Sequence, residues 1–166
     1  MEMPEKLIKY LVDNKVTYEV VHHPAAFTAQ TIAAAEHVKG HHHAKVVITR
    51  CAGRHLMTVL PADCHVDLEK LEKVAGMPVW IENEAEFKDV FPDCEPGTMP
   101  PFGDLYGLPT FVDQRLTKED YIVFQSGNRT HSIRISYADY ERVAKPHVAD
   151  FAVKFNPDGR STYAAR

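Results

Sequence analysis

Cysteine is scarce in this sequence of 166 residues, in which only Cys51, Cys64 and Cys94 occur. Their odd number and wide spacing fit neither a disulfide framework nor a CxxC metal-binding knuckle. We therefore expect three free thiols. A nucleophilic cysteine would also need a cationic neighbourhood that stabilises its thiolate, which a sequence by itself does not reveal.

Long apolar runs and an excess of basic residues are also missing. No stretch approaches the roughly 18 apolar residues of a membrane span, and the charged residues 1–14 lack the apolar run of a signal peptide. We therefore expect a cytoplasmic protein that does not contact a membrane. The 19 Lys and Arg residues against 23 Asp and Glu give a formal net charge of −4. This charge argues against electrostatic binding of long nucleic acid but permits a local basic face.

The overall composition of the chain is typical of one globular domain. Hydrophobic residues make up 45% and charged residues 25% of the chain, a balance that allows a buried core without disulfides or metals. We draw one domain over residues 1–155 and a polar, frayed tail over residues 156–166.

Hydrophobic periodicity and turn residues predict an α+β fold with a mostly antiparallel or mixed sheet. Helices are predicted over residues 5–14, 28–38, 67–76, 83–91 and 136–145. Asn83 and Glu86 form a capping-box-like pair at the start of the fourth helix. Strands are predicted over residues 17–21, 44–50, 55–60, 109–113, 121–127 and 130–136, with a tight turn at Gly53. The first and third helices should bury Leu7, Ile8, Leu11, Val12, Leu68, Leu71 and Val74 or Ala75. The βαβα alternation and the GxGxxG motif of a dinucleotide-binding fold are absent.

Ten histidines raise the question of a metal site. Adjacent histidines on an extended segment point to opposite faces. Within the run His41-His42-His43, only His41 and His43 could therefore share an ion. No HExxH or CxxC pattern supports them. The simpler interpretation is a polar loop before a strand, and we expect no catalytic metal.

Three segments carry candidate chemistry. Lys45 stands at the start of a predicted strand, where its ammonium can point into a pocket or into solvent. The loop 97–103, GTMPPFG, combines prolines with glycines that permit unusual backbone angles. It is either a clamp that holds backbone groups towards a ligand or a rigid turn. The segment 126–131, SGNRTH, is either a hairpin turn or a turn that contacts ribose or phosphate and carries the titratable His131.

These three segments, in this order, resemble the YbaK/ProX family of aminoacyl-tRNA deacylases, which includes the editing domain of bacterial prolyl-tRNA synthetases. The resemblance runs from about residue 5 to residue 145. AKVVITR resembles the strand that carries the family's functional lysine, which falls on Lys45. GTMPP resembles the G-x-x-x-P loop, with Gly97 and Pro101 at the named positions, and FQSGNRTHSI resembles the segment that follows.

The resemblance implies an α+β fold with a barrel-like mixed sheet and a free-standing trans-editing enzyme. That enzyme would hydrolyse the ester between a small amino acid and the terminal ribose of a mischarged tRNA, without a metal or a cofactor. Catalytic roles are implied for Lys45, Gly97 and His131. Substrate contacts are expected from Val46, Thr98, Met99, Pro100, Pro101, Phe102, Ser126 and Gly127. For Phe102, ordinary core packing is the other interpretation.

The resemblance also implies partners, namely mischarged tRNA and, transiently, an aminoacyl-tRNA synthetase, with the protein as a monomer or homodimer. In the alanine-clearing branch of the family an Asn follows the lysine, and in the cysteine-clearing branch a Thr does. Here Val46 follows Lys45, so neither substrate is implied. Apolar residues such as Val46 and Met99 favour a small side chain, for example alanine, serine or cysteine. The alternative function is a non-catalytic module of the same fold that binds tRNA or aminoacyl-adenosine.

Overall fold

The computed structural model describes residues 1–25 and 39–155. The helix predicted over residues 28–38 and the polar tail predicted over residues 156–166 lie outside the described residues. No helix within the described ranges combines the length and the apolar composition needed to cross a membrane.

Four α-helices form in the described ranges, and capping residues explain where they begin and end. They are α1 (Glu5–Asp13), α2 (Leu68–Ala75), α3 (Glu84–Phe87) and α4 (Tyr137–Ala144). The Asp67 carboxylate accepts hydrogen bonds from the first turn of α2, and the left-handed Gly76 ends the helix. Asn83 and Glu86 form the predicted capping box of α3. Beyond α3, the predicted helix continues only as a 3-10 turn over Lys88–Val90.

The buried faces of α1 and α2 are narrower than predicted. Leu7 and Leu11 of α1 are fully buried, whereas Val12 is 56% exposed. In α2, Ala75 is half-buried but Val74 is 42% exposed. Each helix packs on one side only, so residues one turn apart point inward while Val12 and Val74 face solvent. The prediction of an inward position is therefore wrong for Val12, and of the two alternatives given for α2, Ala75 is the one that holds.

The described residues form ten β-strands, which include the six predicted ones with boundaries shifted by a few residues. They are β1 (Glu19–His22), β2 (Ala44–Cys51), β3 (Arg54–Pro61), β4 (Cys64–Val66), β5 (Val79–Ile81), β6 (Thr110–Asp113), β7 (Tyr121–Gln125), β8 (His131–Ser136), β9 (His147–Ala149) and β10 (Ala152–Lys154). The four strands that the sequence did not predict, β4, β5, β9 and β10, are each three residues long. Such strands are too short to show alternation of apolar and polar residues.

The strands are arranged as three sheets, with the orders β5-β2-β3-β6-β9, β1-β8-β7 and β10-β4. The pairs β3/β6 and β6/β9 are parallel, and the other ladders are antiparallel. This arrangement confirms the predicted α+β class with a mixed, mostly antiparallel sheet. Within the described ranges the strands form separate sheets and not one closed barrel.

A single parallel bridge joins the two larger sheets where β2 begins. It pairs His43 with Val123 of β7, and the Val123 N–H donates to the His42 carbonyl oxygen at 3.0 Å. The start of β2 and the end of β7 therefore run side by side in the same direction. This junction determines which side chains meet at the candidate site.

Candidate active site

Lys45, the second residue of β2, is half-buried and lies opposite Leu60 of β3. Burial lowers the pKa of its ammonium from 10.5 to about 8, and nearby Cys64 and Asp63 oppose this shift. Burial also raises the pKa of the Cys64 thiol to about 12. Cys64 is therefore uncharged near neutral pH, which leaves the Asp63 carboxylate as the opposing charge. The Lys45 Nζ lies 5.0 Å from the ring centroid of Phe155, within reach of a cation–π contact.

A cavity of about 110 Å³ opens beside this lysine. Its wall combines the start of β2, the proline-rich loop 97–103 and the end of β7. The residues that line it are Ala44, Lys45, Val46, Gly97, Met99 and Gln125. Two of the predicted motifs, the strand that carries Lys45 and the proline-rich loop, thus meet at one cavity. Gln125 is a wall residue that the sequence did not identify, because its place at the cavity depends on how the two larger sheets meet.

The proline-rich loop is held against the β7–β8 turn by backbone hydrogen bonds. The Glu95 N–H donates to the Gly127 carbonyl oxygen, and the Gly127 N–H donates to the Thr98 carbonyl oxygen, both at 2.9 Å. Gly127 has a φ of +97°, and a Cβ at this position would collide with the Pro4 ring. Glycine is therefore required here to let the N-terminal segment, the loop and the turn pack together.

Several residues predicted to contact substrate lie behind the cavity wall. Thr98 is buried, and its hydroxyl donates to the Glu95 carbonyl oxygen at 2.7 Å. Ser126 is also buried, and its hydroxyl donates to the His131 carbonyl oxygen at 3.0 Å. Pro101 accepts a hydrogen bond from Tyr140. In the described ranges, the residues that support the wall without lining it are Thr98, Pro100, Pro101, Phe102, Ser126 and Gly127.

Phe102 occupies the aromatic core. Its side chain is fully buried, and its ring packs edge-on against Tyr10, Phe124 and Tyr140, each with centroids 5.4 Å apart. The geometry favours the core-packing interpretation of this residue over a direct substrate contact.

The structure places the His131 side chain on a different cavity from the one beside Lys45. This second cavity, of about 710 Å³, lies between the N-terminal segment, α1 and the β7–β8 turn. The ring packs against His22 with centroids 4.3 Å apart, and its Nδ1 lies 3.0 Å from the Asn128 Oδ1. Burial, together with His22 and His23, lowers the pKa of His131, which favours the neutral imidazole. A catalytic role for His131 stays a prediction.

Among the described residues, His41, His42 and Glu119 form a cluster of side chains with the potential to hold a metal ion. The His41 Nδ1 lies 3.0 Å and the His42 Nδ1 3.4 Å from the Glu119 carboxylate, and the potential ligand atoms lie within 4.8 Å of one another. The sequence-based pairing of His41 with His43 is wrong, because residues 40–42 form a turn and are not extended. His43 is instead fully buried. The imidazoles already pair with the carboxylate, so the geometry is explained without an ion.

The cysteines are free, as expected. Burial raises the pKa of Cys94 as well as that of Cys64 to about 12, so both are protonated thiols near neutral pH. A protonated, buried thiol is a poor nucleophile.

The chain belongs to the aminoacyl-tRNA editing domain family, which matches residues 23–143. This match includes the lysine strand, the proline-rich loop and the β7–β8 turn, and it confirms the resemblance to the YbaK/ProX family.

One relative by sequence is the multifunctional Ser/Thr-tRNA deacylase ProXp-y of Escherichia coli (strain K12). It is 27% identical over 153 residues, which cover 89% of this chain and 91% of the relative. Among solved structures, one described as a trans-editing enzyme for prolyl-tRNA synthetase has a TM-score of 0.77 at 19% identity, covering 89% of this chain and 95% of the other. A hypothetical protein of the same fold has a TM-score of 0.82 at 20% identity, covering 90% and 100%.

Family membership identifies the chain as an aminoacyl-tRNA editing protein, and the curated deacylase relative supports a hydrolase that acts on aminoacyl-tRNA. The predicted editing deacylase function and hydrolase class are thereby confirmed, and the non-catalytic alternative is disfavoured, whereas the small amino acid and the independence from metal stay predictions.

Proposed function

We propose that the cavity beside Lys45 receives the side chain of a small, wrongly attached amino acid and that the ester is hydrolysed at its rim. The observation that carries this proposal is the meeting of Lys45, Gly97 and Met99 around one small space. A volume of about 110 Å³ corresponds to about four water molecules in the liquid. Alanine, serine, cysteine and threonine side chains contain one to three heavy atoms and suit this space, whereas aromatic side chains exceed it.

Lys45 provides positive charge where the ester needs it. Attack on the ester carbonyl by water or a ribose hydroxyl creates a tetrahedral state whose oxygen becomes negative. A half-buried ammonium stabilises such an oxygen more strongly than a solvated one, because little water competes with it. Lys45 can therefore bind the developing charge or orient the attacking hydroxyl.

The loop backbone provides neutral donors beside this charge. Gly97 and Met99 both line the cavity, and neither N–H donates to another group in the part of the chain that the structure describes. The hydrogen bonds of Thr98 and Gly127 hold this backbone in place before substrate arrives. Donors that are fixed in advance stabilise a transition state without a reorganisation cost.

The remaining features of the proposal follow from this chemistry. The lysine and the backbone donors suffice for ester hydrolysis, so no metal or cofactor takes part. Mischarged tRNA is encountered in the cytoplasm, where we place the protein. The protein acts as a monomer or homodimer, and its association with an aminoacyl-tRNA synthetase is transient.

A panel of tRNAs charged with alanine, serine, cysteine, threonine, phenylalanine or tyrosine tests the proposal. The purified protein should release the small amino acids and leave phenylalanine and tyrosine attached. Equal rates across the panel would contradict the size-selective cavity.

A further inference from the structure

Gln125 presents a buried polar atom to the Lys45 cavity. It is the last residue of β7, is only 7% exposed and lines the cavity wall. Its Oε1 is buried and accepts a hydrogen bond from no group in the described part of the chain. Buried carbonyl oxygens in proteins are nearly always paired, so this one calls for an explanation.

The fold explains why Gln125 faces Lys45. The parallel bridge between His43 and Val123 sets the two strands side by side, and Lys45 and Gln125 each follow two residues later. Side chains two residues apart on a strand point to the same face. Both side chains consequently reach the same cavity.

Donor groups of Lys45, Gly97 and Met99 line the same cavity, but none of them donates to the amide oxygen in the described part of the chain. The side chains of Ala44, Val46 and Met99 are apolar, and the Gln125 backbone is paired through the ladder with Ser132 of β8. An unpaired buried carbonyl carries a free-energy cost, which a ligand removes if it supplies a donor at that point. The position of Gln125 therefore indicates a donor on the bound amino acid.

We propose that Gln125 selects amino acids with a side-chain hydroxyl, serine and threonine, by hydrogen bonding to that hydroxyl. This inference rests on the proposed function of the cavity. A carboxamide both donates and accepts, as a hydroxyl does, so the two groups match. The α-ammonium of the substrate is the other candidate donor, but the Lys45 ammonium lines the same cavity and would repel a second cation there. A neutral hydroxyl meets no such repulsion.

The test is a thermodynamic cycle in which the enzyme's amide and the substrate's hydroxyl, the two partners of the proposed hydrogen bond, are removed separately. Gln125→Met removes the amide at similar size, and replacement of serine by alanine on the same tRNA removes the hydroxyl. Single-turnover rates are measured for both enzymes on both substrates. The wild type should hydrolyse the seryl ester faster, and Gln125→Met should lower the serine-to-alanine rate ratio about 10-fold, the typical effect of one hydrogen bond. The exposed Gln114 provides the control, since Gln114→Met makes the same chemical change away from the cavity.

Three results would contradict the inference. An equal loss on both substrates would mean that Gln125 contacts a group common to all aminoacyl esters, such as the α-ammonium. An unchanged ratio in an active variant would remove Gln125 from selection. A wild type that hydrolyses none of the panel would overturn the proposed function, and this inference with it.

Thermal unfolding separates the proposed role from a structural one. Because the amide oxygen is unpaired without substrate, Gln125→Met should unfold at the wild-type temperature or above it. A Tm several degrees lower would show that Gln125 supports the fold and would contradict the proposed role.

Discussion

The pKa of Lys45 leads to a quantitative prediction of how activity depends on pH. Burial lowers this pKa from 10.5 to about 8, which corresponds to about 3 kcal/mol against the buried ammonium. If the ammonium is the active form, kcat/KM follows its protonated fraction in the free enzyme. With a pKa of about 8, about nine-tenths is protonated at pH 7 and about one-tenth at pH 9. We therefore expect kcat/KM to fall about 10-fold over this interval.

The assay is single-turnover deacylation between pH 6 and pH 10, with spontaneous ester hydrolysis subtracted at each pH. Cys64 does not titrate in this range, because its pKa is about 12, and the lowered pKa of His131 places its titration on the acidic side. Lys45→Arg is the matched control, since a guanidinium stays charged throughout and its profile should be flat. A flat wild-type profile to pH 9 would show that the ammonium is not required. A rate that rises through pH 8 would instead assign the neutral amine as a base, and either result would refute the reasoning.

Three further predictions concern the cavity wall and the histidine cluster. Gly97 has a φ of +79° with open space around its Cβ position, so Gly97→Val should cost about 1–2 kcal/mol of backbone strain and abolish deacylation by moving the loop. Gly53 has a similar φ of +74° with equally open space, and Gly53→Val should lose comparable stability in thermal unfolding but keep activity. Val46→Asn should change the relative rates among alanine, serine and cysteine esters, because it places a hydrogen-bonding group in the cavity wall. Unchanged rate ratios in competition assays would exclude Val46 from amino-acid selection. Exhaustive chelation should leave the rate unaltered, whereas loss of activity that zinc restores would assign the cluster of His41, His42 and Glu119 to catalysis.

Local features of this chain could be predicted from the sequence where one segment determines them. The turn at Gly53 predicted the β2–β3 hairpin, and Asn83 with Glu86 predicted a capping box that the structure contains. Lys45, predicted from its place at a strand start together with the family resemblance, lines the cavity. These signals are short-range, so they do not depend on knowing how the sheets meet.

Features that arise from long-range packing could not be predicted. Gln125 reaches the cavity only because a bridge between His43 and Val123 joins two sheets. His131 begins β8, beside the β7–β8 turn, and its side chain lines the cavity next to α1, a direction that spacing does not reveal. The pairing of His41 with His42 likewise depends on a turn that an extended-strand argument misses.

The central claim is that the chain hydrolyses mischarged tRNA with the Lys45 cavity, and Lys45→Ala tests it most directly. The measurement is the single-turnover rate on seryl- and alanyl-tRNA for the wild type and the variant, with thermal unfolding of both as a check on the fold. We expect a loss on the order of 100-fold or more, the typical effect of removing one positioned electrostatic group. The Tm should be unchanged or higher, because the half-buried ammonium is disfavoured in the folded state. A folded variant that deacylates at the wild-type rate would contradict the account.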